Sequence, residues 1–324
     1  MLLDLYITHW TEAWEIGAPA IKMLSLQRLV DWNEVRITMV HDGTEPFPDE
    51  YFKDVPCGVN QVKIPHGGIA KARNWCIDHG DAKWIKWCDF DDSFANVYAL
   101  WDILNVLPDD RNDLLWFELL WQDVPEKHRV FLKKDRDPVF VHNKVFKRSF
   151  LKEHHIRFQE DLTWCEDSAF LALIEMEINH ERIGKIVTNN PPYVYNVRMG
   201  SLCNRPEIKF SNRKSFFRRH CYVANEFLKR NLMDEYRTMI VRIMGDSYYT
   251  IKLAPGITED RSEHEREVWK YFDSHRDAFY SCRPEKFDLA LAAVNRENFD
   301  GGEITKEAMM EWIHQHEKEV MADA

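Results

Sequence analysis

The chain has 324 residues, 45% of them hydrophobic, which allows one large domain or two ordinary ones with a sizeable core. Its net charge of −11 argues against a protein that coats nucleic acid nonspecifically. No apolar run reaches ~18 residues, so the sequence predicts no membrane span, and the N-terminus lacks the pattern of a signal peptide. The seven cysteines are scattered, which favours a reducing, cytoplasmic location over a zinc module or a disulfide framework.

The first ninety residues alternate between strand and helix patterns. Runs of β-prone residues at 2–8, 35–40 and 83–88 predict three strands. Apolar residues at helical spacing predict a helix over 20–30, and a second helix opens at Gly67 and Gly68 and continues through Ile77. Strands that alternate with helices are typical of a parallel sheet covered by helices, so we expect an α/β fold.

The rest of the chain divides into a part with predicted strands and a part with predicted helices only. Short strands are predicted at 114–121, 139–145, 183–187 and 193–198, with a helix at 167–177 between them. Beyond residue 205 the pattern becomes helical, over 208–232, 236–253, 262–279 and 305–320. We therefore predict an α/β catalytic domain over 1–204 and a helical C-terminal region over 205–324, with acceptor binding as its proposed role.

The segment WIKWCDFDD ends a buried-looking strand with three carboxylates, Asp89, Asp91 and Asp92. Ligands of open parallel sheets gather outside the carboxyl ends of the strands. Carboxylates this close repel one another unless a cation lies among them, and Mg²⁺ or Mn²⁺ bound with a diphosphate would remove that cost. The alternative is a solvated acidic loop after an edge strand.

Three further segments strengthen the cation hypothesis. HDGT at 41–44, then the helix containing AKARN at 70–74 that leads into the acidic strand end, then CEDSAF at 165–170 follow one another in the sequence. This order resembles the inverting family 2 glycosyltransferases of GT-A fold, over about residues 1–200. The resemblance implies a nucleotide-sugar-binding domain with a mostly parallel central sheet flanked by helices, followed here by the helical extension.

The resemblance also implies roles for single residues. Asp42 matches the aspartate that reads the nucleotide base, usually uracil, and Arg73 the arginine near the donor phosphates. Asp89 and Asp91 match the DxD pair, of which one points toward ribose or sugar and one toward the metal. Asp167 matches the general base, with Glu166 beside it as the second catalytic candidate.

The first strand departs from the family pattern, because it ends in THW where a proline-containing P-T-Y-N is common. Thr8 and Trp10 are therefore the candidates for the floor of the base site, with Trp10 able to stack on a base. His41 replaces the usual first aspartate of DDGS, which bears on the nucleotide preference.

Two later segments supply further candidates. VHNKVFKR at 141–148 resembles a segment beside the donor and acceptor sites, from which Lys144 is a donor-site candidate and His142 a metal-ligand candidate; a structural histidine is the alternative for His142. YNVRMGSL at 195–202 resembles a late segment in which Arg198 grips the diphosphate, because a planar guanidinium suits phosphate oxygens. The alternative for Arg198 is a surface ion pair.

Residues 205–252 carry 11 basic against five acidic side chains within an acidic protein. Such a stretch, with aromatic residues interleaved, either binds a polyanionic acceptor or balances the charge of the first domain.

The predicted function is metal-dependent, inverting transfer of a hexosyl group from a nucleotide-sugar, mainly a UDP-sugar, to a hydroxyl of a glycan or polymer. A modified DNA base remains an alternative acceptor. A DxD phosphohydrolase and an inactive, binding-only transferase fold are the rivals from other classes. The sequence specifies neither the sugar, nor the acceptor, nor the oligomeric state.

Overall fold

A computed structural model describes residues 1–123, 130–134, 139–186, 191–198, 209–298 and 302–323. The chain divides into two compact units, Met1–Asn204 and Arg205–Ala324. The boundary between the units lies where the sequence pattern becomes helical, and the roles assigned to the two units stay predictions.

The first unit is built on a mixed, mostly parallel sheet of seven strands in the order β10-β6-β9-β4-β1-β2-β3. β1 lies at its centre, parallel to both β2 and β4, and β9 runs antiparallel to β4 and β6. This architecture confirms the predicted α/β class. The strands are β1 (Leu3–His9), β2 (Val35–Asp42), β3 (Asn60–Ile64), β4 (Trp84–Asp89), β6 (Leu114–Phe117), β9 (Lys144–Lys147) and β10 (Ile183–Ile186).

A second sheet of four strands, in the order β5-β11-β7-β8, extends the first unit. β11 is parallel to β7 and antiparallel to β5, the short strand that follows the acidic segment. Its strands are β5 (Ser93–Phe94), β7 (Leu119–Asp123), β8 (Val130–Lys134) and β11 (Tyr193–Asn196), and the helices of the unit are α1 (Trp14–Ser25), α2 (Ile69–Asp78), α3 (Ala99–Val106), α4 (Arg148–Glu153) and α5 (Glu166–Glu177).

The central strands are buried on both faces because helices cover the sheet. All seven residues of β1 are buried, as expected for a strand inside an α/β core. On one side, α1 approaches the acidic segment so closely that a Cβ on Gly17 would lie 2.1 Å from the Phe90 ring. Only glycine permits this contact, which places α1 directly against the loop that follows β4.

Several elements differ from their predicted bounds. The first helix begins at Trp14, not at residue 20, because Pro19 is accommodated inside it. β3, α3 and α4 were not predicted from the sequence. The helix over Pro284–Glu297, between the breaks at Arg283-Pro284 and Gly301-Gly302, was not predicted either. The end of the strand predicted at 183–187 and the start of the helix predicted at 208–232 lie outside the described residues.

The second unit is helical, as predicted. Its core is formed by apolar side chains such as Ile240, Met244, Phe272 and Ile313. Among the described residues, every helix is too short or too polar to cross a bilayer. The helices are α6 (Lys209–Lys229), α7 (Met233–Tyr248, continued by a π-turn at Tyr249–Leu253), α8 (Ser262–Tyr280), α9 (Pro284–Glu297) and α10 (Lys306–Asp323).

Basic residues of the stretch 205–252 find acidic partners inside this unit. Part of the excess positive charge is therefore neutralised locally, and binding of a polyanion stays a prediction. The pairs join Arg218 to Glu267, Arg230 to Glu226, Arg242 to Glu297 and Lys252 to Glu265.

Candidate functional site

The carboxyl ends of the three central strands bring the predicted residues together. Thr8 at the end of β1 is in register with Asp89 at the end of β4, and the Thr8 hydroxyl donates to Asp89 Oδ1 at 3.0 Å. His9 is in register with His41 on β2, one residue before Asp42. Segments far apart in sequence thus meet at one edge of the sheet, as the strand pattern predicts.

Arg73 on α2 joins the acidic strand end to the start of α5. Its Nη1 lies 3.0 Å from Glu166 Oε1 and donates to Asp167, and its Nη2 lies 3.1 Å from Asp89 Oδ1. The side chain is 1% exposed. Burial opposes its charge, but Asp167 and the other two carboxylates outweigh burial and raise the pKa of Arg73. We call these four residues the Arg73 cluster.

The structure gives Arg73 three carboxylate partners on the cavity wall. Arg73 therefore positions Asp89, Glu166 and Asp167 relative to one another. The expected place of Arg73 near the donor phosphates stays a prediction.

Asn74, the next residue of α2, fixes the segment before α5. Its amide Oδ1 accepts from the Phe158 backbone N–H at 2.8 Å, and its Nδ2 donates to the Phe158 carbonyl at 2.9 Å and to Glu160 at 3.0 Å. Phe158 stacks on Phe170 of α5, with ring centroids 3.9 Å apart. One turn of α2 thus holds both the carboxylates of α5 and the chain that leads to them.

Glu166 and Asp167 begin α5, where the helix N-terminus favours negative charge. Both oxygens of Asp167 are engaged, Oδ1 by Arg73 and Oδ2 by the Val141 backbone N–H at 3.2 Å. Burial, together with the charge of Asp167, raises the pKa of Glu166 to about 7. Both acids lie on the cavity wall.

The three aspartates after β4 have different surroundings. His142 and Arg73 lower the pKa of Asp89 against the effect of burial. Burial raises the pKa of Asp92 to about 8, and that side chain accepts from the Tyr193 hydroxyl at 2.7 Å. Asp89 and Asp91 line the cavity, whereas Asp92 points into the protein.

Asp91 is paired with Arg198. Arg198 Nε and Nη2 lie 3.2 and 3.1 Å from Asp91 Oδ2. Burial and the charge of Asp89 raise the pKa of Asp91, although Arg198 opposes the rise. Glu12, which the sequence did not single out, lies 3.8 Å from Arg198 Nη2. The other end of the YNVRMGSL segment lies outside the described residues.

Asp42 organises the loop that precedes α2. Its carboxylate accepts from the Gly67 and Gly68 backbone N–H groups at 2.8 and 2.9 Å and lies 2.9 Å from His66 Nδ1. Trp10 stacks on the His66 ring with centroids 5.4 Å apart and is 42% exposed at the cavity. Trp10 is thus available to a planar ligand, while Asp42 is already engaged by the loop. Base reading by Asp42 stays a prediction.

His142 and Lys144 have different positions. His142 Nε2 lies 2.8 Å from Asp89 Oδ2 and 3.1 Å from Arg73 Nη2, so its role as donor or acceptor depends on its protonation. Lys144 is buried, its ammonium donates to the Phe140 carbonyl at 2.5 Å, and it does not line the cavity. In this arrangement Lys144 supports the fold and does not reach a donor in the cavity.

The cavity has a volume of about 390 Å³, within the range of small-molecule sites. Two aromatic groups lie along it, Trp10 with His66 and Phe140 with Tyr195, and the segment before α5 contributes Trp164. Sequence reasoning missed Glu12 and Tyr193, because a lone acid or tyrosine carries no pattern until the fold brings it to a site. Asn74 belongs to the AKARN motif, but no role was predicted for it. The predicted residues on its wall are Thr8, Trp10, Asp42, Arg73, Asp89, Asp91, His142, Glu166, Asp167 and Arg198.

A buried histidine pair lies beneath this edge. His9 Nδ1 lies 2.9 Å from His41 Nδ1, and His41 Nε2 lies 3.1 Å from Gln61 Oε1. Burial, with the nearby His9, lowers the pKa of His41 to about 4. His41 therefore stays neutral in the folded protein at a pH where it would be protonated in the unfolded chain.

We expect this pair to make the protein sensitive to acid. The stability contributed by neutral His41 is fully present above pH 6.5 and is lost as the pH falls from 6.5 toward 4, with a slope of at most about 1.4 kcal/mol per pH unit. Urea unfolding at pH 7, 5.5 and 4.5 measures it. The His41→Gln variant should lose less stability over this interval than the wild type, and parallel losses would contradict the assignment.

The fold and the site define a class. The mixed, mostly parallel central sheet is that of the GT-A fold predicted from the sequence, and the chain is similar to glycosyltransferases of known sequence and structure. No family model matches the chain. A particular relative is the poly(ribitol-phosphate) β-N-acetylglucosaminyltransferase TarS of Staphylococcus aureus, 21% identical over 270 residues and 79% of this chain. The chain spans 44% of the length of that relative.

Solved structures support the same fold. The structure of Staphylococcus aureus TarS 1–349 in complex with UDP aligns with a TM-score of 0.61 at 14% identity, over 93% of this chain and 89% of that one. The mannosyltransferase PcManGT of Pyrobaculum calidifontis, in complex with GDP-Man and Mn²⁺, aligns with a TM-score of 0.50 at 12% identity, over 92% and 87%. The likeness to these structures shows the GT-A fold.

Proposed function

We propose that the protein is an inverting glycosyltransferase that moves a hexosyl group from a UDP-sugar to a hydroxyl of a polymer. The observation that carries this proposal is the Arg73 cluster, which joins the acidic end of β4 to the acidic start of α5 along one cavity wall. Inverting transfer needs a donor site and a proton acceptor in one cavity, and this arrangement supplies carboxylates for both.

The residues present fit a divalent cation. Asp91 is a partly buried carboxylate on the cavity wall, where burial and the charge of Asp89 raise its pKa and a bound cation would offset both effects. Asp89, Asp92 and His142 also place possible ligand atoms within 4.8 Å of one another, but Asp92 points into the protein and accepts from the Tyr193 hydroxyl. We propose that Asp91, with Asp89 beside it, holds Mn²⁺ or Mg²⁺. When bound, such an ion stabilises the negative charge of the departing diphosphate.

The other residues act directly on donor and acceptor. We propose that Trp10 stacks on the base and that Arg198 contacts the diphosphate. Asp167 accepts the proton of the attacking hydroxyl. Glu166 pairs with the same Arg73 guanidinium and alters the electrostatic field at Asp167. Because one arginine holds both acids, the cluster also fixes the distance between the proton acceptor and the donor site.

The choice of donor and acceptor is guided by the relatives. TarS is named for the transfer of N-acetylglucosamine to poly(ribitol phosphate), and the structure of PcManGT is a complex with GDP-Man and Mn²⁺. We propose a UDP-N-acetylhexosamine as donor and a polyol-phosphate polymer as acceptor class. Incubation with UDP-GlcNAc, UDP-Glc or GDP-Man, each with Mn²⁺ and with poly(ribitol phosphate), tests this by release of the nucleoside diphosphate. Release of GDP alone would replace the donor assignment.

Asp91→Asn tests the metal site. We expect Mn²⁺-dependent turnover to be abolished, because the neutral amide is a poor ligand for a hard cation, while the unfolding curve stays close to that of the wild type. Asp109→Asn, which replaces a partly exposed acid paired with the exposed Arg111, is the matched control and should keep full activity. Full activity of Asp91→Asn would show that the metal assignment is wrong.

The same assay separates the rival functions. A phosphohydrolase would release inorganic phosphate from simple phosphate esters, and a binding-only fold would release nothing. The engagement of Asp89 by Thr8 and Arg73 argues against its use as an aspartyl nucleophile. A DNA acceptor is tested by replacing the polymer with DNA that contains hydroxymethylated bases.

A further inference from the structure

Arg198, Asp91 and Glu12 form one group at the cavity wall. The Arg198 guanidinium lies against Asp91 Oδ2 through two nitrogens, at 3.2 and 3.1 Å, and Nη2 is 3.8 Å from Glu12 Oε1. Glu12 itself is held, because its Oε2 accepts from the Trp10 backbone N–H at 3.1 Å. One guanidinium thus has two carboxylate partners.

The position of Arg198 conflicts with the proposed metal site. A divalent cation and a guanidinium repel each other, and here both require the carboxylate of Asp91. A bound diphosphate removes this conflict, because its negative charge attracts both the divalent cation and the Arg198 guanidinium. The second partner of Arg198, Glu12, does not depend on Asp91 for its own position.

We propose that Arg198 and the divalent cation compete for Asp91 in the protein without donor and cooperate once a diphosphate is bound. The cation takes Asp91, and the guanidinium, kept nearby by Glu12, turns to the diphosphate oxygens. Glu12 is therefore a positioning residue for Arg198. This inference rests on the proposed function, because it needs the cation and the diphosphate in the same cavity.

The measurement is Mn²⁺ binding alone, by the electron paramagnetic resonance signal of free Mn²⁺, with and without UDP. Without UDP, Arg198→Gln should bind Mn²⁺ about 10-fold more tightly than the wild type, the scale on which one nearby charge shifts the proton affinity of a carboxylate. With UDP present, the wild type should bind Mn²⁺ more tightly than Arg198→Gln, because the variant has lost the contact between residue 198 and the diphosphate. Since coupling is reciprocal, Mn²⁺ should also tighten UDP binding less in Arg198→Gln than in the wild type.

Two controls test charge and position separately. Arg198→Lys keeps the charge and should bind Mn²⁺ without UDP as weakly as the wild type. Arg111→Gln removes one exposed charge elsewhere and should change neither affinity. In Glu12→Gln, UDP should increase the Mn²⁺ affinity less than it does in the wild type. An equal increase would show that Glu12 does not position Arg198.

The failures of the two proposals look different. If Arg198→Gln and the wild type bind Mn²⁺ equally without UDP, the competition is refuted, while the proposed function stands. If the wild type binds no Mn²⁺ even with UDP, both the competition and the metal site of the proposed function are overturned.

Discussion

Replacing Asp167 with asparagine should lower the rate of sugar transfer by about 100-fold or more, the usual cost of losing a general base. Binding of UDP should stay close to that of the wild type, because the change keeps the size of the side chain and leaves Trp10, Asp91 and Arg198 unaltered. Release of UDP under saturating donor measures the rate, and calorimetry measures the affinity.

Glu166→Gln is the matched comparison for Asp167→Asn, since it removes the neighbouring charge from the same guanidinium. A smaller loss than in Asp167→Asn is expected. A larger loss would move the proton acceptor to Glu166. In that case kcat of the wild type should rise with pH around 7, where Glu166 loses its proton, and this dependence should vanish in Glu166→Gln.

Replacing Arg73 with methionine should lower the free energy of unfolding at pH 8 by about 3–5 kcal/mol, the cost of leaving buried charge uncompensated. The guanidinium is the shared counter-charge of Asp89, Glu166 and Asp167, so its loss leaves three carboxylates facing one another. Part of the loss should be recovered below pH 6 as Glu166 takes up a proton. Urea unfolding measures both effects.

Arg157→Met is the control for this prediction. Arg157 pairs with Asp78 at 2.6 Å, with both side chains more than a third exposed. Its loss should cost no more than about 1 kcal/mol, the range of exposed ion pairs. Equal losses in Arg73→Met and Arg157→Met would refute the view that Arg73 holds the site together.

The sequence predicted which residues lie at the carboxyl ends of the strands more reliably than it predicted the side-chain contacts that these residues make there. The resemblance of HDGT, AKARN, the acidic end of β4 and CEDSAF to family 2 glycosyltransferases implied the GT-A fold, and the alternation of strand and helix was sufficient to predict its α/β class. This succeeds because hydrophobic periodicity reports directly on burial. By contrast, β3 is only partly buried and α4 is short, so neither gives a strong periodic signal.

The side-chain partners were beyond the reach of the sequence. Arg73 was expected near the donor phosphates, but its carboxylate partners were not foreseen, because Glu166, 93 positions further along the chain, returns to the same edge of the sheet only in the folded chain. Lys144 was expected in the donor site, but β9 directs it toward the Phe140 carbonyl. The roles assigned to the site residues stay predictions until the variants are measured.

Two adjacent side chains of helix α2, Arg73 and Asn74, make different contacts with the segment 158–167. Arg73 holds the carboxylates of α5, whereas Asn74 holds the backbone at Phe158 and the side chain of Glu160. Loop grafting should therefore be possible here: residues 161–164 can be exchanged for those of another transferase to alter acceptor selectivity, while both anchor points of α2 and the chemistry they support are kept.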